Sequence, residues 1–270
     1  MSYRLLALDL DGTLLRRDHS VDDLDIAAIS ELQAAGVTVT IATGRLHSGA
    51  TGAARACAIE GAIACCDGSH LVELASGETL VHHGMTGEVA ALVRGAFTDH
   101  GLTAFVFDAD GIHHEHAGAT YAHYIRTWSP NLRVVEQDVV WQTEPLAAVA
   151  VGDEADVAAA HAVLRDHAAR LFSVSFPIYA CPGKHAVMVR AAGATKGTAL
   201  AELCRRAGCS LAEAVAVGDW LNDVPMFEVA GRSFAMASSP DAVRDKATDV
   251  LAAEAGAGGG IAEAIRRSWG

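Results

Sequence analysis

The sequence predicts an α/β protein, and three observations carry that prediction. Residues 5–8 are an unbroken apolar run, the pattern of a strand buried on both faces, and residues 37–42 are rich in strand-favouring β-branched side chains. Segments between them space their apolar residues as helices do, and glycines stand at their ends. The composition agrees: 51% of the 270 residues are hydrophobic but only 6% are aromatic. A core drawn from Ala, Val, Leu and Ile suits a parallel sheet covered by helices.

Residues 5–8 form the first strand. Ser20, with Asp23 three residues on, resembles a helix N-cap; the helix behind it carries Leu24, Ala28 and Leu32 inward and stops at Gly36. Residues 37–42, rich in β-branched side chains, form the second strand and residues 62–66 the third. Strand, helix, strand, helix, strand implies a parallel sheet with right-handed crossovers. The middle of the chain changes character. Residues 86–100 form an amphipathic helix, and residues 103–107 and 112–115 alternate with period two about an Asp110-Gly111 turn, a hairpin signal. Helices over 121–128 and 154–170 and strands over 146–151, 172–176 and 186–190 complete an α+β unit with a partly antiparallel sheet. After Arg190 the α/β alternation returns. Thr195 caps a helix running to Ala207, residues 214–217 are a strand that leads into Gly218-Asp219, and 233–236 and 248–252 are short strands. The expected organisation is a discontinuous Rossmann-like, three-layer α/β/α core with a mainly parallel sheet, residues 1–82 and 187–270. Residues 83–186 form the inserted domain.

Charge and patterning exclude several function classes. A net charge of −13 leaves no broad basic face for nucleic acid or an anionic membrane. The long uncharged run 171–183 is too short to span a bilayer and is interrupted by Pro177 and Pro182. The apolar stretch after the first four residues is too short for a signal-peptide core. Six cysteines without a C-x-x-C pair read as reduced thiols, so a cytoplasmic protein is expected, a monomer or weak homodimer.

The chemistry sits where strands end, which is where open α/β sheets bind ligands. Asp9-Leu10-Asp11-Gly12-Thr13-Leu14 follows the first strand, and residues two apart on extended chain point to the same side. Two carboxylates this close repel unless a cation or shared proton intervenes. A polar turn explains Asp11-Gly12 but leaves Asp9 unexplained. The similar Asp108-Ala109-Asp110-Gly111 returns at once into its hairpin and reads as turn chemistry. Thr43-Gly44-Arg45 follows the second strand and offers a hydroxyl and backbone N–H groups to an anionic oxygen. Lys196-Gly197 opens a helix, where an ammonium adds to the positive end of the dipole. Gly218-Asp219-Trp220-Leu221-Asn222-Asp223 puts Asp219 at a strand end like Asp9; helix capping accounts for Asn222 or Asp223 but not for both. Several carboxylates facing one lysine call for a hard divalent cation with oxygen ligands, most naturally Mg²⁺. Carboxylate nucleophile, metal, lysine and hydroxyl together are the equipment of phosphoryl transfer.

In this order the residues resemble the four motifs of the haloacid dehalogenase superfamily, and more narrowly the Cof-type phosphatases. The resemblance covers essentially the whole chain, and the long insert between Arg45 and Lys196 matches that subgroup's α/β cap domain. It implies that Asp9 attacks phosphorus to form an aspartyl-phosphate. Asp11 protonates the departing alkoxide and then deprotonates the hydrolytic water. Thr43 and Lys196 hold phosphoryl oxygens, with Gly44 beside them. Asp9, the backbone carbonyl of Asp11 and Asp219 ligate Mg²⁺, supported by Asp223. Asn222 contacts phosphate or metal-bound water, and Arg45 and the cap contribute to substrate choice. Three departures stand out. Cys66-Asp67-Gly68-Ser69 occupies the place of a usual Ser-Asn-Gly-Ala, Trp220-Leu221 is bulkier than the customary residue, and Ala237-Ser238 replaces Gly-Asn.

The expected activity is therefore a Mg²⁺-dependent phosphomonoesterase acting on a small phosphorylated metabolite. A phosphomutase of the same superfamily, or a phospho-accepting, metabolite-binding regulator with negligible turnover, are the alternatives. His113, His114 and His116 cluster on the inserted hairpin, where surface or cap-lining roles are expected; His47 and His70 lie near strand ends.

Overall fold

Residues 3–136 and 139–270 are described here in a computed structural model. Its first strand, β1 (Leu5–Leu8), is wholly buried, as its unbroken apolar run requires. Then come α1 (Asp23–Ala34), β2 (Thr38–Ile41), α2 (His47–Ala56), β3 (Ala62–Cys65), β4 (His70–Glu73) and β5 (Thr79–His82). The middle of the chain holds α3 (Gly87–Asp99), β6 (Thr103–Phe107), β7 (Ile112–His114), α4 (Ala122–Ile125), β8 (Leu132–Val134), β9 (Ala147–Asp153), α5 (Glu154–Arg165), β10 (Leu171–Pro177) and β11 (Lys184–Ala191). The chain closes with α6 (Lys196–Arg206), β12 (Ala214–Gly218), α7 (Val224–Phe227), β13 (Arg232–Ala235), α8 (Asp241–Arg244), β14 (Asp249–Val250) and α9 (Gly260–Trp269).

These elements divide into two compact units. The first comprises Met1–Gly44, Ala50–Leu80 and Thr195–Gly270; the second comprises Arg45–Gly49 and Val81–Ala194. In the first unit a five-stranded sheet has the order β14-β13-β12-β1-β2, and every pair is parallel. One face packs Leu6, Leu8, Val39 and Val217 against Ile29 and Leu32 of α1, Ala53 of α2 and Ile261 of α9. α6 and α7 pack on each other, and α7 lies against β12 and β13. Parallel strands flanked by helices on both faces make the α/β/α core that the alternation predicts.

Two details of the expected core are corrected. α1 is capped by Asp22, whose side chain accepts from the Leu24 N–H, and not by Ser20. Its inward residues are Asp25, Ile29 and Leu32, while Leu24 is 68% exposed. The helix is rotated because Asp25 is needed inside: its carboxylate accepts the N–H groups of Gly259 and Ala262 at the start of α9. The third strand also differs. β3 joins the parallel sheet through the isolated bridge Ala42–Ala64 and a bond from the Thr40 hydroxyl to Ala62 O, and it begins a three-stranded sheet, β3-β4-β5, with β3 and β4 antiparallel.

The second unit is a six-stranded sheet in the order β10-β11-β9-β6-β7-β8, antiparallel except for β7 with β8. α3 and α5 cover one face through Val89, Val93, Phe97, Val157 and Leu164. The β6–β7 turn is closed by Asp108, whose Oδ1 accepts from the N–H groups of Asp110 and Gly111. That bonding fits the turn reading of this second Asp-x-Asp-Gly. His113 and His114 are buried: His113 faces Asp108 at 2.6 Å, and His114 packs on Phe105 with ring centroids 5.4 Å apart. Among the described residues no helix is long and apolar enough to cross a membrane.

Candidate active site

Because β1, β2 and β12 run parallel, their carboxyl ends deliver the following loops to one edge of the first unit's sheet. The Asp9 N–H donates to Val217 O, which holds the start of the Asp9 loop against the end of β12. Gly12 then turns the chain at φ 83°, where a Cβ would overlap the Asp219 carboxylate. Only glycine lets these two loops approach so closely. The Thr13 hydroxyl donates to Asp219 Oδ1 at 3.4 Å.

Lys196 is the centre of the site. Thr195 caps α6 with a reciprocal capping box, so the helix begins at a fixed point and Lys196 enters fully buried. Its Nζ donates to Asp9 Oδ1 at 2.5 Å and to Asp223 Oδ1 at 2.6 Å. Asp223 uses its other oxygen to accept the N–H groups of Asp219 and Trp220, at 2.8 and 2.9 Å. It therefore both caps its own turn and pairs with the lysine.

The electrostatics follow from burial. Desolvation pushes the Asp9 carboxyl well above the usual carboxylate range; Lys196 pulls it down, and Asp223 and Asp219 push it up further. Burial is also the main cause that raises Asp219 to about 7, with Asp223 adding to it and Lys196 opposing. For Lys196 burial works against the charge, but the carboxylates of Asp223, Asp9 and Asp67 outweigh it and hold the ammonium well above its ordinary value. The site thus keeps one fixed cation and is short of positive charge.

One oxygen from each of Asp9, Asp219 and Asp223 lies within 4.8 Å of the others. All-oxygen and mutually repelling, with Asp9 and Asp223 buried and Asp219 partly so, this set fits a hard divalent cation. Asp11 is exposed on the same loop, and its charge is among those that raise Asp219.

Thr43 and Gly44 follow β2. Thr43 is fully buried; its N–H donates to Ala64 O, and its carbonyl accepts the Asp67 N–H, both at 2.9 Å. The Asn222 side-chain amide donates to Asp67 Oδ1 at 2.8 Å. The first unit thus gathers Asp9, Asp11, Thr43, Gly44, Lys196, Asp219, Asn222 and Asp223. Arg45 belongs to the second unit, where its guanidinium donates to Gly49 O at 3.2 Å. His47 is also grouped there. His70 is buried in the first unit against the Thr79 hydroxyl at 3.0 Å. Two site residues escaped the sequence reading. Thr13 belongs to the Asp9–Leu14 motif but carries no role there, and Asp67 stands out as an acid without showing its partner.

The deciding observation is a family model for haloacid dehalogenase-like hydrolases, which matches residues 6–265. The chain belongs to this family. The resemblance read from its four motifs is thereby borne out, and the protein is an enzyme of the hydrolase class. Among its relatives, a pyridoxal phosphate phosphatase of Escherichia coli is 27% identical over 93% of this chain and 94% of its own length. An HMP-PP phosphatase of Yersinia pseudotuberculosis is 26% identical over 88% of this chain and 85% of its own. A crystal structure of a haloacid dehalogenase-like hydrolase from Bacteroides thetaiotaomicron shares the fold, with a TM-score of 0.84 at 22% identity over 98% of this chain and 99% of that one.

Proposed function

We propose that this hydrolase is a Mg²⁺-dependent phosphomonoesterase that cleaves a small phosphorylated metabolite through an aspartyl-phosphate on Asp9. The observation that carries the reading is the buried Asp9 carboxylate, held by Lys196 inside a cluster with Asp219 and Asp223. The phosphatase names of the Escherichia coli and Yersinia relatives support the reaction class.

Asp9, Asp219 and Asp223, with the Asp11 carbonyl, would hold the cation. When bound, the cation supplies the positive charge that lets an anionic phosphate approach Asp9. An Asp9 oxygen attacks phosphorus, and the bond from phosphorus to the ester oxygen breaks. The Asp11 carboxyl gives its proton to that departing oxygen. Asp11, now a carboxylate, takes a proton from water as the water oxygen attacks phosphorus, and the bond to Asp9 breaks to release inorganic phosphate. Lys196 spends two of its three N–H donors on Asp9 and Asp223, and the third serves a phosphoryl oxygen together with the Thr43 hydroxyl. Asn222, beside the cluster, adds a polar contact to phosphate, and Arg45 takes part in substrate choice. The setting is cytoplasmic, in keeping with cysteines that form no disulfide among the described residues.

Hydrolysis of an aryl phosphate is the direct test. Turnover should require Mg²⁺, stop in EDTA and be lost in Asp9→Asn; activity that survives both would overturn the reading.

A further inference from the structure

Residues 66–68 form an unusual turn beside the site. Cys66, Asp67 and Gly68 all take positive φ, at 47°, 51° and 98°. For the two non-glycine residues this conformation is disfavoured, and such strain persists only where the surroundings fix it.

The surroundings do fix it. The Asp67 N–H is held by Thr43 O at 2.9 Å, and the next residue, Ser69, closes the turn by donating its N–H to Cys66 O. Gly68 lies so close to Thr195 O, one residue before Lys196, that a Cβ there would overlap it. A Cβ added to Gly44 would lie 3.4 Å from Asp67 Oδ1. The carboxylate of Asp67, itself buried, then reaches the Asn222 side-chain amide at 2.8 Å. The turn thus touches three loops that carry phosphate-facing residues in the proposed function: Thr43-Gly44, Thr195-Lys196 and Asn222-Asp223.

We infer that Asp67 is a positioning residue, which holds Asn222 in a single orientation at the phosphate site; the inference rests on the phosphatase reading. A carboxylate offers acceptors only, so the Asn222 NH₂ must face Asp67 and its carbonyl oxygen must face away. An amide at residue 67 would accept either orientation of Asn222 and would leave it free to flip. Asp67 touches no reacting atom in this account; besides holding Asn222, its charge supports the Lys196 ammonium.

The test is a double-mutant cycle on Asp67→Asn and Asn222→Ala, with an NMR readout independent of turnover. Asparagine tolerates the left-handed backbone of residue 67, so the variant keeps the turn. Its unchanged melting temperature, measured alongside, separates positioning from folding. Replacing a charge-assisted bond by a neutral one should raise KM for an aryl phosphate by about ten-fold, with kcat changed much less. In the Asn222→Ala background the same change should have a far smaller effect, what remains being the lost Asp67 charge near Lys196. The Asn222 side-chain NH₂ should give one amide proton shifted downfield and protected from exchange, and both features should vanish in Asp67→Asn. Losses that multiply across the cycle would overturn the inference, as would an Asn222 amide signal unaltered by Asp67→Asn. A wild-type protein without phosphatase activity but with the Asp67-dependent amide signal would sink the phosphatase reading and leave the Asp67–Asn222 contact standing.

Discussion

Replacing Lys196 by methionine removes the one buried cation from between Asp9 and Asp223, leaving a side chain of similar length. The structure sets the size of the effect. Two charge-assisted hydrogen bonds, at 2.5 and 2.6 Å, are lost. Bonds of this kind contribute roughly 1.5–3 kcal/mol each, so the pair accounts for about 3–6 kcal/mol. Breaking a buried ion pair by deleting one partner costs about 3–5 kcal/mol, an independent figure in the same range. The carboxylates limit the loss by taking up protons, because Asp9 and Asp219 are already raised by burial. Metal-free protein at about pH 8 should therefore lose about 3–4 kcal/mol in urea unfolding, a large share of a typical domain's stability. At about pH 5.5 the loss should shrink, because protonating the orphaned carboxylates becomes easier as pH falls. Turnover should fall at least a hundred-fold at either pH, since removing one stabilising donor alone has an effect on the order of 10². Equal stability of variant and wild type at the higher pH, or a loss that grows on acidification, would refute the reasoning.

Two further predictions follow from other groups. Asp219 is raised from 3.8 to about 7, so the folded metal-free protein binds more protons than the unfolded chain across that window. Its contribution to stability is greatest below the window and declines as pH rises through it. A divalent cation must displace the proton, so Mg²⁺ affinity should rise by up to about ten-fold per pH unit until pH 7 and then level off. Thermal shifts with and without Mg²⁺ across that range would show the rise, and a pH-independent shift would contradict it. Asp25→Ala removes the carboxylate that accepts from Gly259 and Ala262 at the start of α9. Stability should fall by about 1–2 kcal/mol while kcat per folded molecule stays unchanged.

Much of the core was legible because local pattern and tertiary role coincide there. The unbroken apolar run of β1 announces a buried strand, and Asp9 at its end has no reason to exist except chemistry. Lys196 at a helix start was conspicuous because the dipole disfavours it. The failures have a common physical origin in distant partners. The phase of α1 was misread because Asp25 faces inward toward N–H groups 234 and 237 residues away, a relation no local period contains. β3 looked like a sheet strand, but β4 and β5 pair beside it and draw it into a separate antiparallel sheet. Local pattern leaves His113 and His114 open between surface and cap-lining roles because their partners, Asp108 and Phe105, lie across the hairpin. Asp67 stood out as an acid, but its bond to Asn222 spans 155 positions and is visible only in three dimensions.

The central claim is that Asp9 carries the phosphoryl group. Rapid acid quench during turnover of a phosphate ester, followed by digestion and mass spectrometry, tests it most directly. The account predicts a phosphoryl group on the Asp9 side chain that appears in the steady state and is absent from Asp9→Asn. A phosphoryl group on any other residue, or sustained turnover by Asp9→Asn without a modified residue, would contradict it.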